Sequence, residues 1–289
     1  MPKVPSRSQD RLGMLAMTLA VMAAVPAWAE GPRRIVSLDL CTDQLLIELV
    51  DRRRIAAVTH LAADPAVSAI PEKARGLPVT RGQAEDVLRY DPDLILAGPW
   101  GVSATVGLLR RLGRNVVIVP LPQDLDGVRA SVRAVAAAVG AQAEGEVMTA
   151  RFDRRLAALG QRNTDAAPPT AVVYQVGGVV SGSASLANGL LAAAGLRNIA
   201  GDYRLSGSGQ VQLEALIADP PDVLVLSSGP TEYRTALADN LRHPALALLR
   251  QRQPSLELPW QMWLCGTPHV VDALERLARA RDEIEARRR

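Results

Sequence analysis

Few residues in this chain of 289 stand at spacings that catalysis or metal binding would require. The three histidines, His60, His243 and His269, show neither the HExxH spacing of a metalloprotease nor the Cys and His spacing of a zinc site. The sequence has no GxxxxGKS or GxxxxGKT loop and no GxGxxG after a strand, and "SGSASLANG" only superficially matches a GxSxG elbow. No acid and base pair is marked out, so the sequence predicts no catalytic constellation.

Two glutamates stand out because the chain repeats their surroundings. The stretch "EDVLRYDPDLILAG" (85–98) returns 129 residues later as "EALIADPPDVLVLSS" (214–228). Glu85 and Glu214 each lie seven residues before a Pro-Asp pair that leads into an apolar triplet. A glutamate in a first helical turn also complements the helix dipole, so one copy alone leaves its role open. The repetition predicts two similar lobes.

Alternating strands and helices are predicted to position these residues. In the first half, Thr80 and Gln83 form a capping box that predicts a helix opening near residue 80. The predicted strands of that half are 33–38, 54–60, 93–98 and 115–120. Two helices, 126–139 and 142–162, then follow without a strand between them, and the alternation restarts at 171–176.

The predicted fold class is α/β, with two Rossmann-like lobes joined by a single long backbone helix. We assign 33–140 to the N-terminal lobe, 141–163 to the bridging helix and 170–289 to the C-terminal lobe. Open α/β sheets bind ligands at the carboxyl ends of their strands, so a ligand cleft is expected between the lobes.

The first 29 residues are predicted to be a signal peptide cleaved after Ala29, which would place the protein in the periplasm. A basic start is followed by the short apolar run "LGMLAMTLAVMAAV" and the small-residue site "AWA". An uncleaved anchor is the alternative. Removing residues 1–29 takes away three basic residues and one acid, which lowers the net charge from +3 to +1. Such a charge gives little support for nucleic-acid binding.

The only two cysteines, Cys41 and Cys265, form a candidate disulfide, because an exported protein meets an oxidising environment. Two independent buried thiols are the alternative.

Several segments together resemble the periplasmic substrate-binding proteins of ABC importers for cobalamin, ferric siderophores and haem. They are "RIVSLDLCTDQLLIELV", "LPVTRGQAEDVLRYDPDLILAG", the helix 142–162, "GSGQVQLEALIADPPDVLVLSS" and "LPWQMWLCGTP". The resemblance implies a non-enzymatic, monomeric protein that captures a metal-chelate ligand of cobalamin or siderophore type and delivers it to an inner-membrane ABC permease. It also implies that Glu85 and Glu214 dock onto the permease. No cofactor is expected, since the ligand itself carries cobalt or iron, and no clustered histidines suggest a bare-ion site.

Candidate cleft residues follow from the predicted strand ends. Trp100 is expected to contact ligand, and Arg81 is suited to a carboxylate, phosphate or catecholate. The ligand-binding set is Cys41, Thr42, Asp43, His60, Arg81, Trp100, Tyr174, Ser181, Tyr203, Arg204, Trp260 and Trp263. The alternatives are a haem-binding member of the same family, an exported two-lobed α/β enzyme such as a chelatase, and a ligand-sensing partner of a signalling receptor.

Overall fold

The computed structural model describes residues 31–100, 103–159, 167–227 and 243–288. Within these ranges the chain forms two β-sheets covered by helices. The strands are β1 (Ile35–Ser37), β2 (Ile55–Thr59), β3 (Val79–Thr80), β4 (Leu94–Ala97), β5 (Val116–Ile118), β6 (Thr170–Tyr174), β7 (Val179–Val180), β8 (Arg197–Asn198), β9 (Gly209–Gln210), β10 (Val223–Leu226) and β11 (Ser255–Glu257). The helices are α1 (Leu40–Leu49), α2 (Pro71–Ala74), α3 (Ala84–Leu88), α4 (Ser103–Arg111), α5 (Leu125–Val139), α6 (Gln142–Ala157), α7 (Leu186–Ala193), α8 (Leu213–Ala218), α9 (Pro244–Arg252) and α10 (Val270–Arg288).

The first sheet is parallel throughout, with strand order β3-β2-β1-β4-β5. Successive side chains of a strand point to opposite faces, so each face has its own core. Leu94 and Leu96 of β4 pack in one buried cluster with residues of α1 and α5. Ile95 and Ala97 pack in the other, with residues of α3 and α4. Helices therefore cover both faces, as the apolar run in β4 predicts.

The second sheet is mixed, with strand order β11-β10-β6-β7-β9 and β8 paired to β6. Strands β8, β10 and β11 run parallel to their neighbours, whereas β7 is antiparallel to both β6 and β9. Val223 and Val225 of β10 pack towards α7 and α10, and Leu224 and Leu226 pack towards α8 and α9. The two-lobed α/β fold expected from the sequence is therefore present.

The repeated Pro-Asp pair has the same structural role in each lobe. The carboxylate of Asp93 accepts hydrogen bonds from the backbone N–H groups of Arg33 (2.6 Å) and Arg34 (3.0 Å), just before β1. The carboxylate of Asp222 accepts from the N–H (2.7 Å) and hydroxyl (2.8 Å) of Thr170, at the start of β6. Each aspartate thus anchors the amino end of the neighbouring parallel strand, which explains the repetition.

Helix α6 bridges the two lobes, since Met148 packs in the first-lobe core and Phe152 in the second. Helix α5 lies beside it and does the same through Val132 and Val128. The predicted bridging helix is therefore present over residues 142–157, and α5 also connects the two lobes. Residues 160–162 of the predicted helix lie outside the described residues.

One local prediction was wrong, and one histidine has a role that the sequence analysis did not assign. Thr80 belongs to β3, and the following helix begins only at Ala84, after Gln83, which makes no side-chain capping bond. The Thr80 hydroxyl instead donates to the carboxylate of Asp86 at 2.9 Å, because that acceptor lies one turn inside the helix. His243 precedes Pro244 and caps α9, since its ring nitrogen Nδ1 accepts a hydrogen bond from the Ala245 N–H at 3.2 Å.

Candidate functional site

A disulfide joins the carboxyl edges of the two sheets. Cys41 lies in the first turn of α1, directly after β1, and Cys265 lies beyond the carboxyl end of β11. The two cysteines are bonded, with their Cα atoms 5.1 Å apart. The predicted disulfide is therefore confirmed, and it ties together the two edges at which α/β sheets bind ligands.

The two tryptophans near this bond differ in their surroundings. Trp260 packs against the buried cluster of Leu40 and Val67 beside the disulfide, at the boundary between lobes. Its indole N–H is buried and has no hydrogen-bond partner among the described residues. Trp263 packs against the second-lobe core, and its N–H donates to the carbonyl oxygen of Leu258 at 3.3 Å. Trp263 therefore packs mainly against the second-lobe core, and its ligand contact stays a prediction.

Three predicted residues form an exposed row on the first sheet. Arg81, His60 and Trp100 follow the carboxyl ends of β3, β2 and β4, and all three are exposed. Trp100 is 72% exposed, which is unusual for so large an apolar side chain. The strand order places Arg81 and Trp100 three strand spacings apart, about 14 Å. The row is therefore wide enough for a sizeable planar ligand.

Asp39 lies in the middle of this edge, and sequence reasoning did not select it. Its carboxylate caps α1 by accepting from the N–H groups of Cys41 (2.9 Å) and Thr42 (3.3 Å). Burial raises the pKa of Asp39, and those two hydrogen bonds oppose the shift. A Cβ atom on Gly98 would lie 2.6 Å from the Asp39 carboxylate, so glycine is required there. An aspartate between a strand and a helix is a recognisable N-cap signal.

Thr42, Asp43 and Tyr174 lie in the interior rather than on the cleft surface. Thr42 is 2% exposed and its hydroxyl donates to the carbonyl oxygen of Asp39. Asp43 is fully buried, and burial raises its pKa to about 7. Tyr174 is 1% exposed within the second-lobe core. Thr42 and Asp43 lie on the inward side of α1, and Tyr174 is the last residue of β6 rather than beyond it, which is why the strand-end rule misplaced these three.

Ser181 is buried next to the carboxyl end of β6, where its hydroxyl accepts a hydrogen bond from the Gln175 side chain at 3.1 Å, so it lies beneath the edge rather than on the cleft surface. Tyr203 and Arg204 precede β9, which runs parallel to β6, and they therefore lie towards the amino edge. Burial raises the pKa of Tyr203, and the nearby charge of Asp219, just ahead of β10, adds to the shift. The unpredicted antiparallel strand reversed the direction of this part of the chain.

Glu85 and Glu214 occupy equivalent places in the two lobes. Each is the second residue of a short helix, α3 or α8, that starts beyond the carboxyl end of the preceding strand. The N-caps Gln83 and Gln212 are both extended, with ψ of 145° and 142°. Both glutamates are exposed, and neither carboxylate has an ion pair with another described residue. The repeat therefore places two available carboxylates on the same side as the disulfide-linked edges.

Polar side-chain contacts also connect the helices on the bridging side. Glu48 of α1 contacts His269 at 2.8 Å and Lys73 at 2.6 Å. Burial alone would raise the pKa of Glu48, but hydrogen bonds from His269 and Lys73 lower it to about 2. Arg155 of α6 pairs with Glu275 of α10 at 2.5 Å. With the disulfide, these contacts limit how far one lobe can swing from the other.

Among the described residues, no group of three or more His, Cys, Asp or Glu side chains could hold a metal ion. Nor does the described part of the chain include a helix with the length and apolar character needed to cross a bilayer.

Comparison with known proteins gives consistent results. A family model described as "Periplasmic binding protein" matches residues 35–250. A cobalamin-binding protein of Halobacterium salinarum is 30% identical over 203 residues, which cover 67% of this chain and 53% of that protein. The chain thus spans about half the length of the curated relatives it matches.

Solved structures share the fold. The apo form of the periplasmic heme-binding protein RhuT from Roseiflexus sp. RS-1 is 28% identical, with a TM-score of 0.73 over 88% of this chain and 99% of that one. The vitamin B12-binding protein BtuF of Vibrio cholerae has a TM-score of 0.68 at 20% identity, over 88% of this chain and 98% of that one. At that identity the second likeness concerns the fold alone.

Proposed function

The chain belongs to the periplasmic binding protein family, and from this premise we propose that it captures a cobalamin-type metal chelate and delivers it to an inner-membrane ABC permease. Its family and its structural neighbours are solute-binding proteins, so the chain is a binding protein and not an enzyme. Its periplasmic location and the removal of residues 1–29 are part of the proposal.

The observation that carries the proposal is the pair of carboxyl edges joined at Cys41–Cys265, with Trp100 exposed on one of them. A largely exposed aromatic ring supports stacking on a conjugated ligand. On the other edge, the buried N–H of Trp260 has no acceptor among the described residues, and a buried donor left unpaired costs about 1–3 kcal/mol. A ligand with a polar rim would supply that acceptor. His60 and Arg81 add two polar contacts to the same row.

The ligand class follows from the relatives taken together with this edge. The curated relatives bind cobalamin, and the structural neighbour at 28% identity binds heme. Both ligands hold a metal in a broad tetrapyrrole-type macrocycle, and that width suits the row from Arg81 to Trp100. Cobalamin is the first candidate and haem the second, with ferric siderophores as the third.

Titration of the mature protein with cyanocobalamin, hemin and a ferric hydroxamate, followed by tryptophan fluorescence, tests this proposal. Binding should quench the signal of the wild type, and Trp100→Ala should lose most of the quenching and bind about tenfold more weakly. Trp263→Phe is the matched control, because Trp263 packs in the second-lobe core and should leave affinity unchanged. Failure of all three ligands to bind would refute the proposed ligand class.

We further propose that Glu85 and Glu214 dock onto basic residues of the permease. Each carboxylate would hold one lobe against the permease, and the two together would set the orientation of the binding protein on it. Ion pairs become stronger when an interface removes water from them. The double variant Glu85→Ala/Glu214→Ala should bind ligand normally while ligand uptake falls. Glu72→Ala/Glu144→Ala is the control, since these glutamates also lie in first helical turns. Normal uptake by the first variant would exclude the docking role.

The remaining parts of the proposal have direct tests. Mass spectrometry of the exported protein should show a chain that starts at Glu30. Analytical ultracentrifugation should show a monomer with and without ligand. The assigned boundaries of the lobes, 33–140 and 170–289, stay predictions.

A further inference from the structure

An arginine-lined groove lies at the far end of the second lobe from the disulfide-linked edges. It is formed by the amino ends of β10 and β11, where Val223 and Ser255 line it, together with the last turn of α9 and the second half of α10. Its volume is about 770 Å³. Parallel strands place their amino ends at the edge opposite to their carboxyl ends, so this groove is separate from the ligand cleft and from Glu85 and Glu214.

The charge of the groove is strongly positive. Five arginines and one glutamate line it, a net charge of +4: Arg250, Arg252, Arg276, Arg279, Arg287 and Glu283. The C-termini of α9 and α10 also end here, and together they contribute about one negative charge. The net charge of the lining therefore stays near +3 after the helix ends are counted, and near +2 once the Glu257 carboxylate that pairs with Arg250 is included.

Most of these guanidinium groups are available to bind an anion. Arg250 pairs with the Glu257 carboxylate at 3.2 Å, and Arg276 donates to the Glu257 carbonyl oxygen at 3.5 Å. Among the described residues, Arg252, Arg279 and Arg287 have no ion pair or side-chain hydrogen bond. All three are exposed.

Helix capping accounts for only part of this cluster. Basic residues are favoured in the last turn of a helix, which explains Arg252 and Arg287. Arg276 and Arg279 lie in the middle of α10, where the dipole effect has faded. The arginines in this groove repel each other, and this repulsion destabilises the protein without ligand. An anion bound between them would reduce the repulsion.

We propose that this groove binds a phosphate-bearing polyanion. Guanidinium groups match phosphate oxygens in bidentate geometry, which favours phosphate over carboxylate of the same charge density. Arg279 and Arg287 are eight residues apart on one helix, about 12 Å along its axis. A ligand with two or more phosphate groups can contact both guanidinium groups without drawing the two side chains together, so this spacing favours such a ligand over a single phosphate. The source is either a soluble polyphosphate compound or the headgroups of an anionic lipid surface.

Calorimetric titration of the full mature protein with inorganic tripolyphosphate at low salt tests the site. Binding should weaken as salt is raised, and Arg279→Gln/Arg287→Gln should bind about tenfold or more weakly, since it loses two charge-assisted contacts. Arg111→Gln/Arg154→Gln removes the same charge from two exposed arginines on α4 and α6 and should stay within about twofold of the wild type. Chelate binding in the cleft should not change in either variant.

Flotation with vesicles of phosphatidylglycerol and phosphatidylcholine distinguishes the two sources. Tripolyphosphate binding without flotation identifies a soluble polyanion, and flotation that the groove variant loses identifies lipid headgroups. The proposal fails if neither probe binds, or if the control variant loses as much affinity as the groove variant. It also fails if orthophosphate binds as tightly as tripolyphosphate, because the span between the arginines then has no part in recognition.

Discussion

Replacing Asp43 by asparagine should remove most of the pH dependence of folding stability between about pH 4 and pH 7. Asp43 is fully buried beneath the carboxyl edge of the first sheet. One carboxylate oxygen accepts hydrogen bonds from the Thr59 N–H (3.1 Å) and hydroxyl (2.5 Å), and the other has no partner among the described residues. Burial therefore dominates and raises the pKa from its ordinary 3.8 to about 7.

The sign and size of the effect follow from that shift. Between its unfolded and folded pKa values, Asp43 holds a proton in the folded protein that the unfolded chain releases. The contribution of this proton to the free energy of unfolding is fully present below about pH 4 and is lost as the pH rises through about 7. A shift of about three pKa units at about 1.4 kcal/mol each corresponds to about 4 kcal/mol of unfolding free energy. Asparagine resembles the protonated acid in shape and stays neutral, so the variant should retain this stability at pH 8.

Urea unfolding from pH 5 to pH 8, followed by circular dichroism, measures the prediction, because urea does not screen charges as guanidinium salt does. The wild type should lose stability across this range, and Asp43→Asn should stay nearly flat. Asp126→Asn is the control, because the Asp126 side chain is 92% exposed and should leave the slope unchanged. A wild type whose stability is constant or rises with pH, or an Asp43→Asn variant with the wild-type slope, would refute the reasoning.

Three further predictions concern stability. The Cys41–Cys265 bond closes a separation of 224 residues, so its reduction should lower the free energy of unfolding in urea melts by up to about 5 kcal/mol on the chain-entropy account. The same reductant should not affect the stability of a Cys41→Ala/Cys265→Ala variant. Glu48→Gln should lower the free energy of unfolding at pH 7 by up to about 3 kcal/mol, and the difference from the wild type should vanish as the pH falls from about 4.5 to 2. An equal loss of stability at pH 7 and at pH 2 would contradict this assignment. Asp222→Ala should lower the free energy of unfolding in urea melts by about 2 kcal/mol, and Asp93→Ala by about 1 kcal/mol, because Asp93 is exposed. A larger loss of stability for Asp93→Ala would contradict this prediction.

The candidate site was only partly readable from the sequence. The strand-end rule placed Trp100, His60 and Arg81 correctly at the carboxyl edge, because in the all-parallel first sheet every residue that follows a strand reaches the same edge. It failed for Tyr203 and Arg204, because the short antiparallel strand β7 has no sequence signal that distinguishes it from a loop. It also failed for Asp43, since the direction of a side chain after a strand depends on packing against α1 and β2.

The sequence by itself determined the two-lobed plan, the family and the equivalence of Glu85 and Glu214. These properties reside in local patterns, namely apolar periodicity, helix and turn signals and a repeated segment, that need no knowledge of distant neighbours. Only the tertiary structure decided that Asp93 and Asp222 anchor neighbouring strands and that α5 shares the bridging role of α6. It also assembled the arginine groove from two helices and two strand ends. Such features depend on contacts between residues far apart in the chain, and burial, pKa and charge density arise only when the fold brings those residues together.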